Sequence, residues 1–256
     1  MTRSVLLIAL LCAICLAPVW AQEPDGLSVM RRVDERPQSS ALRQEMTVVM
    51  TDARGGERRR SLIILTEDVT DESRSLVVFT EPADVRDVGL LTIDHAGRAS
   101  TQWLYMPAVG RTRRIAASAK DDSFLGTDFF FEDLEGRAPE DDSHQLLREE
   151  RIDGFECWVV ESTPIRDSVY SRRVSWVDQE SLLMVRIEFH DRRGRLWKVL
   201  ETASIAWDGA YATATQTTMQ DLQRDRSTTI IADTVDHAFD PADDLFTVAS
   251  LERGVR

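Results

Sequence analysis

Four residues of one short run have the types and spacing of a metal loop. In DDSFLGTDFFFE, Asp121, Ser123, Gly126 and Glu132 occupy the first, third, sixth and twelfth places of a twelve-residue calcium loop. The remaining places argue against a cation. Leu125 offers no side-chain ligand, Asp128 stands where an apolar residue is usual, and Phe129 fills the ninth place. The preceding RTRRIAASAK reads as a strand, so the flanking helices of such a hand are missing as well. Three consecutive phenylalanines, Phe129, Phe130 and Phe131, point to different chemistry. On a helix they span most of the circumference, and on a strand Phe130 opposes its neighbours. The segment therefore has apolar surface on more than one side. Such a segment is expected to lie between two apolar bodies, one a sheet and the other protein, a partner or a bound hydrophobic molecule.

Other chemistry is sparse. The sequence holds no G-x-S-x-G elbow, phosphate loop, dinucleotide glycine run or H-E-x-x-H pair. His95, His144, His190 and His237 are scattered without metal-ligand spacing, and the carboxylates of EDLEG and APEDD read as a solvated face. No cofactor is expected, and the protein is expected not to be an enzyme.

The elements that position the aromatic run are mostly strands. QEMTVVMT alternates Met46, Val48 and Met50 with polar residues. SLLMVRIEFH places Leu183, Val185, Ile187 and Phe189 on one face, and YSRRVSWVD places Tyr170, Val174 and Trp176 on one face. Gly55-Gly56, Asp153-Gly154, Arg193-Gly194 and Asp208-Gly209 punctuate these runs as hairpin turns. TQWLYMPAVGRTRRI reads as strand, turn, strand, with Trp103 and Tyr105 on one face and Leu104 and Met106 on the other, so this strand is expected to be covered twice. Helix signals are few: DGLSVMRRVDER with Asp25 as cap, a short helix from Thr127-Asp128 through FFFEDL, and a turn in PADDLF. The fold class expected is mainly β, within α+β. It is a single curved antiparallel sheet or half-open barrel of about 10–12 strands, with a few helices on its concave face.

The chain opens MTRSVLLIALLCAICLAPVWAQ, which reads as a secretory signal peptide over residues 1–21, with Val19-Trp20-Ala21 before the cut. Cys12 and Cys15 leave with it. Only Cys157 stays, so no intramolecular disulfide forms, and its apolar neighbours make it an inert core thiol. The net charge of -13 becomes -14 once Arg3 is removed, a balance that disfavours nucleic acid and anionic membrane surfaces. A monomer is expected.

The run Trp103-x-Tyr105-x-Pro107, Arg111-x-Arg113-Arg114-Ile115, Asp122-Ser123-Phe124-x-Gly126-Thr127-Asp128-Phe129 and Asp133-Leu134 resembles the outer-membrane lipoprotein-sorting proteins related to LolA. It looks most like the subgroup found beside exporters of the resistance-nodulation-division (RND) superfamily. The likeness extends over residues 22–256, including DPADDLFTVASLERG at the end. It implies a periplasmic sheet wrapped around helices, with a cavity for the acyl chains of a lipid or lipoprotein, and an RND-type inner-membrane exporter as partner. Trp103, Tyr105, Met106, Phe124, Leu125, Phe129, Phe130, Phe131 and Leu134 are the candidates to line or cover that cavity. Arg111, Arg113 and Arg114 are candidates for a basic rim that holds a head group or pairs with Asp121, Asp122 and Asp128. Two functions remain open: a carrier of a hydrophobic cargo, and a non-enzymatic adaptor docked on an exporter.

Overall fold

The structure is a computed structural model that describes residues 24–254; residues 1–21, expected from sequence to be a signal peptide, lie outside them. Thirteen strands run antiparallel in one sheet. They are β1 (Ala41–Thr51), β2 (Glu57–Val69), β3 (Glu72–Glu81), β4 (Gly89–His95), β5 (Thr101–Met106), β6 (Arg111–Arg114), β7 (Asp142–Ile152), β8 (Phe155–Pro164), β9 (Arg172–Asp178), β10 (Met184–His190), β11 (Leu196–Asp208), β12 (Tyr211–Asp221) and β13 (Arg226–Asp236). The order across the sheet is β6-β5-β4-β3-β2-β1-β13-β12-β11-β10-β9-β8-β7, and the edges do not meet to close a barrel. The count is one above the expected range, and RTRR forms the short edge strand expected after the Pro-to-Gly turn.

Strands β6 and β7 are neighbours in sequence but occupy opposite edges of the sheet. Residues 115–141 must therefore travel from one edge to the other, and they do so across one face. We call this the inner face. The aromatic run lies in the middle of that crossing. Phe124 and Phe131 pack with Val48, Leu62, Phe79 and Leu90 of the first half of the sheet. Phe129 and Phe130 pack with Tyr170, Phe189 and Met219 of the second half. The crossing is irregular rather than helical: the only regular turns in it are three-residue 3-10 segments such as Glu132–Leu134, so the helix expected through FFFEDL is absent.

Two α-helices occur among the described residues, on opposite faces. α1 (Gly26–Asp34) begins where expected, with the Asp25 carboxylate accepting from the Ser28 amide at 2.7 Å. Its Val29 and Val33, four residues apart, pack on Trp158, Val160 and Val177 of the inner face. Gly26 is required there, because a Cβ would sit 2.8 Å from the backbone of Gln145 in β7. α2 (Val248–Arg253) instead packs Leu251 on the outer face with Leu65, Leu76 and Leu91. The helical cover expected on the concave side is thus reduced to α1, and the crossing segment supplies the rest.

Period-two reading holds for β1 and β5 and fails in β10. The pairing of β10 with β9 shifts between Met184 and Arg186, a bulge that reverses the side-chain alternation. Val185 joins Val174 and Trp176 on the outer face, while Ile187 and Phe189 face inward. Tyr170 precedes β9 and turns inward, away from Val174 and Trp176. Cys157 is 1% exposed in the outer cluster, and burial, followed by the charge of Asp178, pushes its thiol up to about 12. The folded mature protein is expected to resist a maleimide at about pH 8 and to react in denaturant. Rapid labelling of the native protein contradicts this placement.

Candidate functional site

The crossing segment is held by its own turns first. Phe124 donates its amide to the Phe129 carbonyl at 2.9 Å, and Ser123 bridges to Phe130. The tip requires left-handed backbone at Leu125 (φ 50°) and Gly126 (φ 81°), and Gly126 supplies the second at no steric cost. The Thr127 hydroxyl donates to the Phe124 carbonyl at 2.7 Å, tightening the tip.

Three carboxylates then tie it to the sheet. Asp128 accepts from Arg226 at 2.9 Å and from the Thr228 hydroxyl at 2.8 Å. Glu132 accepts from the Val169 amide at 2.8 Å and from the Ser168 hydroxyl. Asp133 accepts from the Phe130 amide and the Tyr170 hydroxyl, both at 2.7 Å, and from Lys198 at 3.2 Å. Lys198 is fully buried. Its ammonium also donates to the Asp128 carbonyl at 2.6 Å and sits 3.0 Å from the centroid of the Phe130 ring. Burial lowers its pKa, and the Asp133 carboxylate opposes that fall. Burial, reinforced by the same carboxylate, raises Tyr170 well above the ordinary phenol value.

Beside this anchored segment lies a cavity of 370 Å³, within the range of small-ligand sites. Met30 and Val33 of α1 close one side, Phe129 another, and Met184, Ile187, Phe189, Leu200 and Met219 form the floor. Arg137, Asp142, Arg173 and Ser175 make one polar wall. Arg137 grips both oxygens of Asp142 through its Nε at 2.9 Å. The His144 ring is satisfied on both nitrogens, by Ser162 at 2.8 Å and the Pro139 carbonyl at 2.7 Å. The arrangement can bury an apolar chain and meet a polar end.

Of the residues singled out from sequence, Phe129 lines this cavity. Phe130 lies behind it, over Lys198. Met106, Phe124, Leu125, Phe131 and Leu134 fill the contact between the crossing segment and β1–β5. Trp103 and Tyr105 face the outer side, packed toward Phe246 and Leu251, because they alternate with Leu104 and Met106 across a strand covered on both sides. Arg111, Arg113 and Arg114 are exposed on the edge strand β6. Asp122 is exposed, and Asp128 is buried and paired with Arg226 instead of the three arginines. Lys198, Arg173 and the floor residues were missed. A lysine inside the apolar run LWKVL was the available signal for Lys198. The floor residues belong to generic alternation that marks no site.

Removing the Lys198 ammonium leaves the Asp133 carboxylate buried beside an aromatic cluster. Lys198→Met is expected to destabilise the fold by about 3–5 kcal/mol in urea unfolding, and adding Asp133→Asn is expected to recover part of the loss. Additive losses in the double variant contradict the coupling.

A family model described as uncharacterized protein matches residues 71–253, more than half of the chain. A search of curated proteins found no match. Three solved structures are similar over nearly the whole of their own length. A Vibrio parahaemolyticus domain assigned to outer membrane lipoprotein sorting is 27% identical with a TM-score of 0.85, covering 89% of this chain and 98% of that one. A DUF1329 family protein from Desulfovibrio piger is 26% identical with a TM-score of 0.84, covering 88% and 97%. A LolA superfamily protein from Nitrosomonas europaea is 25% identical with a TM-score of 0.69, covering 89% and 99%.

Proposed function

The chain belongs to the family whose model matches residues 71–253, and from the cavity and the fold we propose that it is a non-enzymatic periplasmic carrier of an acyl chain. The carrying observation is the 370 Å³ cavity, apolar on its floor and polar on one wall, beside a crossing segment that is anchored by the buried Lys198–Asp133 pair and the half-buried Arg226–Asp128 pair. Structural likeness to the lipoprotein-sorting and LolA superfamily proteins supports the same reading. The cargo is a lipid or lipoprotein acyl chain in transfer toward the outer membrane. Each methylene buried contributes about 0.8 kcal/mol, so a single chain gives firm and reversible holding without catalysis. The periplasmic location rests on residues 1–21 acting as a cleaved signal. An exporter of the RND superfamily is the proposed donor, on the strength of the sequence resemblance.

Ile187 stands on the cavity floor, so a larger side chain there fills the space the cargo needs. Protein purified from the periplasm without detergent is expected to carry an extractable acyl compound in native mass spectrometry. Ile187→Trp is expected to lose it while keeping its unfolding midpoint. Equal lipid occupancy in the two proteins contradicts this assignment of the cavity.

A further inference from the structure

Arg173 stands out within the cavity's polar wall. It lies on β9, where alternation places Arg173, Ser175 and Val177 inward. Its side chain is 17% exposed. A guanidinium has five N–H donors, and buried donors are nearly always satisfied. Arg173 makes one hydrogen bond among the described residues, from a terminal nitrogen to the Ser168 hydroxyl at 3.4 Å. The two carboxylates nearest to it stand beyond hydrogen-bond reach, Glu132 at 3.7 Å and Asp142 at 3.9 Å. Both are already engaged, Glu132 by Ser168 and Val169 and Asp142 by Arg137. Its Nε is buried with no partner. Among the described residues, five other side-chain atoms share that condition, on Asp94, Gln102, His190, Asp221 and Arg226. None of those residues lines the 370 Å³ cavity.

A buried cation with an unused donor beside an apolar floor calls for a ligand that carries both an acceptor oxygen and an alkyl chain. A free inorganic anion answers the first need and leaves Phe129, Ile187 and Leu200 facing nothing. We propose that Arg173 anchors the acyl oxygen of the cargo, donating from the terminal nitrogen Nη1, which stands 3.9 Å from the Asp142 carboxylate, to a carboxylate or an ester carbonyl while the chain lies along the floor. Burial, followed by repulsion from Arg137, depresses the Arg173 pKa, and Asp142 and Glu132 oppose that fall. The inference rests on the carrier reading and specifies which end of the cargo is held.

The test is displacement of N-phenyl-1-naphthylamine, a neutral apolar probe, by laurate, methyl laurate and dodecane. Wild type is expected to favour laurate or methyl laurate over dodecane by about tenfold, as a hydrogen bond to a charged group implies. Arg173→Met is expected to erase that preference while probe affinity stays within about twofold. Arg173→Lys is expected to restore part of the preference for laurate. A loss confined to laurate identifies the carboxylate as the anchored group, and a loss for both oxygenated ligands identifies the carbonyl. Equal displacement by all three compounds in wild type overturns the anchor and leaves the carrier reading standing. That comparison holds even if Arg173→Met does not fold. No binding of probe or laurate by wild type overturns both.

Discussion

A fully buried lysine ammonium is costly unless several partners compensate it, and the arrangement of this protein centres on that compensation. The Lys198 ammonium meets the Asp128 carbonyl, the Asp133 carboxylate and the face of Phe130. All three belong to the segment that crosses the inner face. One side chain from the middle of the sheet therefore fixes the path of a long connection. Asp128 with Arg226 and Glu132 with Ser168 and Val169 tie the same segment on either side. The cavity exists because that path is fixed. With Phe129 held at its border and α1 held by Val29 and Val33, the floor between them is left uncovered by protein side chains.

Topology explains why an irregular segment carries this duty. Successive strands pair as neighbours all along the sheet except where β6 gives way to β7 at the far edge. A connection of that reach has to lie on a face, and a face of an antiparallel sheet is apolar where it is buried. The segment needs apolar groups toward both halves of the sheet, and consecutive phenylalanines meet that need by pointing in different directions. Its backbone polar groups are answered by its own turns and by side chains of the sheet: Gln102 donates to the Phe131 carbonyl at 3.0 Å, Arg60 to the Leu125 carbonyl at 2.6 Å and Lys198 to the Asp128 carbonyl.

Much of the fold was legible in the sequence. The turns at Gly55-Gly56, Asp153-Gly154 and Asp208-Gly209, the two-sided cover of Trp103 to Met106 and the Asp25 cap follow from local rules and stand as read. The site was only partly legible. Phe129 announced itself by composition, whereas the packing of Trp103 and Tyr105 on the outer face did not, because a strand apolar on both faces does not say which face meets the crossing segment. The inward turn of Ile187 and Phe189 depends on a bulge that no local residue type reveals. Lys198 finds its partner only through pairing across 65 residues, from Asp133 to Lys198. Such pairing is decided by topology, which the strand pattern alone does not specify.

The most direct test is a crystal structure of the mature protein with a fatty acid brominated at its chain end, read by the anomalous signal of bromine. The expected result is one bromine peak above the floor formed by Met184, Ile187 and Leu200, between α1 and Phe129. A fully occupied ligand whose bromine lies elsewhere, for example against Trp103 and Tyr105 on the outer face, contradicts the account.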